Sequence, residues 1–307
     1  MTTKQHTDTI LMVRPNAFRK NEQTAVDNLF QSDETATADT NRLAQAEFDH
    51  MLAALREAHI RVIVVDDNGI NDTPDSIFPN NVISFHSNTA ILYPMYAPNR
   101  RKERQLNVIG ILEKNNLHFN TLKDYSTYEA QDLYLEGTGV LIIDHQHRII
   151  YCSLSERASH ELLLVYCEEN NYKPVVFEAT QKINDSYYPI YHTNVLMALG
   201  THFCVICLEC IRNETQKAEV ITRLKATKKT IIAISEAQMN HFAGNILEVA
   251  NSEGKPYICM SEQAFKAFTT AQLEQLETFG KILHFPLYTI EKYGGGSARC
   301  MMAEIFY

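Results

Sequence analysis

Apolar runs recur along the chain in one order, at intervals of roughly 50–60 residues. Two strand-like runs lie close together, an amphipathic helix-like stretch follows, and a third strand-like run closes the unit. Asn81–His86 and Thr89–Pro94 form such a pair, ahead of a helix over about Asn99–Asn115 and a strand over His118–Leu122. The order returns as Gly139–Asp144, Arg148–Leu154, a helix near Glu156–Asn170 and Pro174–Glu178. It returns again as Asn194–Leu199, Phe203–Cys210, a helix near Glu214–Thr227 and Thr230–Ile234. The last copy is Asn245–Ala250, Pro256–Met260, a helix near Ser261–Phe279 and Lys281–Phe285. The first segment has a strand at Thr9–Arg14, a helix near Asp39–His59 and a strand at Arg61–Asp66, so it lacks one hairpin strand. The strand-like tail Ala298–Tyr307 has no partner within its own unit. Pairing the tail with the first segment predicts an α/β ring of five ββαβ units, closed by the two chain ends, in one domain over 1–307. No linker rich in Gly, Pro or Ser divides the chain, and the polar stretch Gln31–Asn41 reads as a long surface loop.

Such a ring gathers residues distant in sequence at its centre, so chemistry is sought at equivalent places just before the first strand of each unit. Three places stand out. Gly294-Gly295-Gly296-Ser297-Ala298-Arg299-Cys300 sets a cysteine after a glycine loop that lets backbone approach a ligand. The bland alternative is a turn followed by a core cysteine. Tyr191-His192-Thr193-Asn194 offers a proton shuttle, although the chain has twelve histidines and most must be bystanders. Leu135-Glu136-Gly137-Thr138-Gly139 sets a carboxylate beside an apolar strand, where a plain loop carboxylate is the alternative. Together, Cys300, His192 and Glu136 suffice for covalent hydrolysis, with no metal or cofactor required.

Composition narrows the setting. The chain has 307 residues, 45% of them apolar, which is ample for a large core. The formal charge of −9 and the lack of a Lys/Arg block argue against a nucleic-acid partner. Met1–Ile10 lacks an apolar signal core, and no apolar run nears the roughly 20 residues that span a bilayer. Seven cysteines without an export signal fit a reducing cytoplasm better than a disulfide framework. Oligomeric state is not fixed by the sequence, and a homo-oligomer is compatible with it.

The order of these motifs resembles the guanidino-group-modifying (pentein) superfamily over nearly the whole chain. That superfamily includes arginine deiminases, dimethylarginine dimethylaminohydrolases and amidinotransferases, and the resemblance implies a five-bladed α/β propeller. The stretch ending Arg299-Cys300-Met301 looks like the cysteine motif of arginine deiminase, and the Glu136 and His192 loops look like its acidic and histidine loops. Pro74-Asp75-Ser76-Ile77-Phe78-Pro79-Asn80-Asn81 is similar to the substrate loop of the dimethylarginine hydrolases. The segments around Arg100 and Arg157 match arginine-bearing motifs there. By that resemblance Arg100 and Arg157 hold a substrate carboxylate and Asp75 helps to fix the substrate, a small amino acid.

This chain departs from the pattern by amidation. Asn80, Asn81 and Asn194 stand where acidic residues are expected, and Gly139 stands where the acidic loop carries Asp. A buried guanidinium needs carboxylates, whereas a neutral ureido group offers a carbonyl acceptor and N–H donors that Asn satisfies. The swaps favour citrulline, hydrolysed to ornithine, ammonia and carbon dioxide, with citrulline-ureidase-like members as the nearest resemblance. In the expected mechanism a Cys300 thiolate paired with protonated His192 attacks the ureido carbon. His192 then protonates a departing nitrogen, and backbone N–H groups of the glycine loop hold the oxyanion. The rivals are an arginine deiminase or amidinotransferase, and a non-catalytic pentein that binds a macromolecule. Cys204, Cys207 and Cys210 read as core packing in an apolar strand, and His145 and His147 as solvated residues of a hairpin turn. Arg299 either tunes the neighbouring thiol or binds substrate, or else points away from it.

Overall fold

The computed structural model describes residues 4–32, 37 and 39–307. Its first strand β1 (Thr9–Arg14) leads to helix α1 (Thr40–Glu57) and back to β2 (Arg61–Asp66), parallel to β1. Helix α1 buries Ala44, Phe48, Met51 and Leu55, a three- and four-residue spacing that forms one face. That face packs into a cluster with Ile10, Met12 and Phe285, where each large side chain contributes roughly 1.5–3 kcal/mol by burial. The polar stretch over Gln31–Asn41 lies partly outside the described residues; Gln31 itself is buried, and α1 already begins at Thr40.

Strands β3 (Ile83–His86), β4 (Thr89–Leu92) and β5 (Thr121–Asp124) follow, with helix α2 (Val108–Lys114) before β5. The next unit is one-turn helix α3 (Gly137–Val140), β6 (Ile142–Asp144), β7 (Ile149–Ser153), helix α4 (His160–Asn170) and β8 (Lys173–Phe177). A hairpin, β9 (Thr180–Ile183) with β10 (Ser186–Pro189), is inserted before one-turn helix α5 (Thr193–Leu196). Then come β11 (Met197–Leu199), β12 (Phe203–Ile206), α6 (Glu214–Ala226), β13 (Thr230–Ala233) and the short α7 (Glu236–Met239). The chain continues with β14 (Leu247–Ala250), β15 (Pro256–Ser261), α8 (Glu262–Ala267), α9 (Thr270–Glu277) and β16 (Lys281–Phe285). Helix α10 (Tyr288–Gly294) and β17 (Ala303–Phe306) end it.

Each unit pairs its first two strands antiparallel and its second and third parallel, as in β6–β7–β8, β11–β12–β13 and β14–β15–β16. β17 supplies the strand that the first segment lacks. It runs antiparallel to β1 (Ile10 opposite Glu304) and parallel to β3, which joins the first two units into one six-stranded sheet, β2–β1–β17–β3–β4–β5. The architecture is mixed α/β. No single sheet closes on itself among the described residues, and the other units keep separate sheets. No described helix is long and apolar enough to cross a membrane.

Several elements differ from expectation for local reasons. The tail is strand only over Ala303–Phe306, because residues from Ser297 to Met302 form turns in which Cys300 and Met301 donate back to the Ser297 carbonyl. β5 starts at Thr121 rather than His118, since β4 begins at Thr89 and pairs it with Thr121, so no neighbour exists earlier. The helix over Asn99–Asn115 splits into a 3₁₀ segment, Arg100–Gln105, and α2, where Asn107 caps the latter. The helix over Ser261–Phe279 splits at Phe268, with Ser261 and Thr269 capping the two halves. Cys204 belongs to β12, but the strand ends before Cys207, which turns to within 3.3 Å of the Cys210 sulfur in the core. His145 is not solvated: it is buried against Phe306, while His147 is the exposed one and bonds Asp144.

Candidate active site

The residues that precede the first strand of each unit meet. Asn81 closes the 3₁₀ turn Pro79–Asn81 before β3, and Glu136 stands at the head of α3 before β6. His192 stands at the head of α5 before β11, and Cys300 comes three residues before β17. Thr193 locks the histidine loop by accepting the Ser153 N–H at the end of β7, at 2.9 Å. Gly137 has φ +46 and lies so close to the 79–81 turn that a Cβ would fall 2.4 Å from the Asn80 carbonyl. At Gly139 a Cβ would fall 2.3 Å from the Asn81 amide nitrogen and 2.9 Å from the His192 ring. The imidazole and the Asn81 amide thus fill the space an aspartate there would require.

Cys300, His192, Asp75, Asn81, Arg100 and Arg157 line one cavity of about 10 Å³, the room of a single water. Glu136 is fully buried behind the histidine, its Oε2 2.7 Å from His192 Nε2. Burial alone would raise the Glu136 carboxyl, but Arg157, the His192 bond and Arg100 outweigh it and hold it at about 2. An ionised Glu136 only accepts, so Nε2 carries the hydrogen and Nδ1 keeps the lone pair. Burial pulls His192 below its ordinary value, more than Glu136 restores, and the resting imidazole is neutral. Among the described residues no hydrogen bond joins His192 to Cys300. The sulfur instead meets two amides: it accepts from Asn194 Nδ2 at 3.5 Å and Asn245 Nδ2 at 3.2 Å, and its thiol hydrogen can donate to Asn194 Oδ1 at 3.8 Å.

The two arginines are held by protein carboxylates. The 3₁₀ segment has three residues per turn, which sets Arg100 and Glu103 on one side, where two bonds of 2.8 and 3.0 Å join them. Arg100 Nη1 also donates to Asn81 Oδ1 at 2.9 Å and lies 3.8 Å from Glu136, and its Nε lies 3.8 Å from Asp75. Arg157 lies 3.6 Å from Glu136, stacks on the Tyr191 ring and forms a two-pronged pair with Asp27. Asp27 belongs to the segment before α1, which covers the cavity. Asn21 and Thr24 donate to Asp75 Oδ2 at 2.7 and 3.1 Å, while Asn28 and Gln31 donate to the Gly294 carbonyl. Among the described residues, Asp75 Oδ1, Asn80 Oδ1 and Asn81 Nδ2 are buried without hydrogen-bond partners. Asn80 bonds Thr138 and stands behind the cavity rather than in its wall. Arg299 points away from the thiol, to Glu304 and the Met302 carbonyl. The Cys300 N–H is spent on the Ser297 carbonyl at 3.0 Å and is not free for an oxyanion. No group of three or more His, Cys, Asp or Glu among the described residues is arranged to hold a metal.

This geometry has relatives. The family described as N,N dimethylarginine dimethylhydrolase, eukaryotic, matches residues 14–307. The chain belongs to that family. Its place among the guanidino-modifying penteins agrees with the expected superfamily. No curated protein matches. Among solved structures, the product-bound N-terminal domain of ArgZ, an arginine dihydrolase from the ornithine–ammonia cycle in cyanobacteria, is 18% identical, with TM-score 0.74 and 97% of each chain covered. A variant of AgrE in complex with L-arginine is 17% identical, with TM-score 0.73, covering 97% of this chain and 40% of that one. A dimethylarginine dimethylaminohydrolase adduct with S-methyl-L-thiocitrulline is 12% identical, with TM-score 0.63, covering 99% and 100%. These likenesses establish the fold that family members share.

Two groups of site residues escaped the sequence reading. Asn245 precedes β14 by two residues, the very place searched in the other units, but an asparagine before a strand reads as a turn residue. Asn21, Thr24 and Asp27 lie in a segment without hydrophobic period and carry no local sign of covering a cavity.

Proposed function

We propose that this chain is a cysteine-dependent hydrolase of a ureido amino acid, citrulline, built as a single domain whose five three-stranded units are the blades of a propeller. The observation that carries the substrate is the Asn81 amide. Arg100 can only donate, so Asn81 must turn its oxygen to it, which leaves Nδ2 as a buried donor without a partner in the cavity wall. A ureido carbonyl accepts from such a donor; a guanidinium has no acceptor to offer. Asp75 Oδ1, the free acceptor in the same wall, suits a substrate N–H. Arg157 is the seat for the substrate carboxylate, and Asp27 must yield it when the substrate arrives; Arg100, bound to Glu103, Asn81 and the Phe78 carbonyl, adds its positive charge to the same cavity.

In the reaction Cys300 gives its proton to the free Nδ1 of His192, its sulfur bonds to the ureido carbon, and the carbonyl electrons move onto oxygen, toward the Asn81 N–H. As the tetrahedral centre collapses, a C–N bond breaks and the departing nitrogen takes a proton from His192, which Glu136 orients through Nε2. His192 then draws a proton from water, which attacks the remaining thiocarbamate and expels the Cys300 sulfur; the carbamate so formed loses carbon dioxide as its own C–N bond breaks and frees the second nitrogen. The sum is citrulline plus water giving ornithine, ammonia and carbon dioxide. A second reading, hydrolysis of arginine or a methylated arginine, is favoured by the family and by the acidic pair Asp75 and Glu136 near the cavity. Incubation with citrulline, arginine, agmatine and dimethylarginine, with ammonia and amino-acid products measured, separates the two. Cys300→Ala should abolish turnover while its thermal unfolding stays that of the parent; full activity in that variant ends the proposal.

A further inference from the structure

Cys300 is 3% exposed, and its sulfur lies between two side-chain amides. The Asn245 amide, 1% exposed, is the better fixed of the two because it cannot be turned round. Its Oδ1 accepts from the Arg299 backbone N–H at 3.1 Å, and its Nδ2 donates to the Asn194 carbonyl at 3.0 Å. Exchanging oxygen and nitrogen would set an amino group against an N–H and one oxygen against another. The nitrogen therefore faces the sulfur as a donor, at 3.2 Å. Asn245 also bridges the histidine and cysteine loops, so its position follows theirs.

Among the described residues no cation takes that place. His192 spends Nε2 on Glu136, and Arg100 and Arg157 are bound to Glu103, Asn81 and Asp27. A neutral thiol is a weak acceptor, while hydrogen bonds to an ionised acceptor are about twice as strong as neutral ones. An N–H fixed on the sulfur therefore favours the ionised form.

We propose that Asn245 is a catalytic residue, whose clamped amide donor holds Cys300 as the nucleophilic thiolate. Asn194 is less decisive, since it presents both ends of its amide to the sulfur, Nδ2 at 3.5 Å and Oδ1 at 3.8 Å. The inference rests on Cys300 being the nucleophile of the proposed reaction. It also completes the ring: Asn81, Glu136, His192, Asn245 and Cys300 each precede the first strand of one unit.

The test reads the thiol without substrate. The full chain is alkylated with iodoacetamide from about pH 6 to about pH 10, the range in which free thiols titrate, and the rate at Cys300 is followed by peptide mass spectrometry. Asn245→Asp replaces the donor with an acceptor of the same shape, and Asn245→Ala removes it. In both, the midpoint of the rate profile should rise by about one pH unit or more. Asn245→Ser, which retains a shorter donor, should fall between them and the parent. A parental profile in any folded Asp or Ala variant overturns the proposal. Failure of all three variants to fold also overturns it, by showing Asn245 to be structural. Turnover is scored separately: a shifted profile without hydrolysis of any tested substrate leaves the thiolate inference standing and removes the hydrolase reading.

Discussion

Asn81→Asp tests the substrate assignment at one atom. Aspartate keeps the acceptor that Arg100 Nη1 reaches at 2.9 Å and turns the unpartnered Nδ2 into a second carboxylate oxygen. A bound ureido carbonyl then meets an oxygen where it had a donor. A hydrogen bond lost in this way, with an acceptor left unpaired, costs about 1.5–3 kcal/mol. That is roughly a 10- to 150-fold fall in kcat/KM for citrulline. For a guanidinium the sign reverses, since the same oxygen becomes a counter-ion. The new charge joins Asp75, Glu103 and Glu136 around Arg100, so thermal unfolding must first show that the variant is folded. Initial rates of ornithine and ammonia release from citrulline and from arginine then give the ratio of the two kcat/KM values. The ratio should move toward arginine by about tenfold or more. An unchanged ratio in a folded variant would mean that this nitrogen never touches the substrate, and the ureido argument would collapse with it.

Two further outcomes follow from the buried carboxylates. Glu136→Gln replaces the charged acceptor that fixes His192 with a neutral amide and leaves Arg157 and Arg100 without a carboxylate at 3.6 and 3.8 Å. We expect kcat to fall about 10²–10⁴-fold, the usual worth of a placed acid–base group, and a steady-state kcat within error of the parent would refute the orienting role. Glu291, on α10, is pushed up to about 7 by burial despite bonds from Ser261, Ser297 and Gln263, against an ordinary value of 4.5. Between those values the folded chain holds a proton that the unfolded chain has lost, so this contribution to stability is greatest at low pH and is lost as pH rises through 7. Urea unfolding should show the parent losing stability relative to Glu291→Gln from pH 5 to pH 8, at up to about 1.4 kcal/mol per pH unit; parallel curves would contradict the buried-acid account.

The units were legible in the sequence because their strands are buried and read as continuous apolar runs such as Ile149–Ser153 and Phe203–Ile206. Cys300, His192 and Glu136 were legible because equivalence between units marks a place even where local sequence is ambiguous. What stayed hidden has no period. The one-turn helices α3 and α5 span four residues each, too few for a 3.6-residue repeat to register. The hairpin β9–β10 did carry a sign, the Asn184-Asp185 turn between alternating residues, with Asn184 at φ 54. The pairing of Arg157 with Asp27, 130 residues apart, depends on a covering segment that only tertiary contact places. The amidation at Asn81 was visible as letters, but which of its two amide atoms faces the cavity was decided by Arg100.

The join made by β17 has a consequence for how activity is acquired. One four-residue strand welds the opening segment to its neighbour, and the sulfur rides three residues ahead of it. Clipping or misregistering that strand would therefore unseat the proposed nucleophile and split the widest sheet in a single event. Turnover of the proposed reaction should therefore track the integrity of this seam.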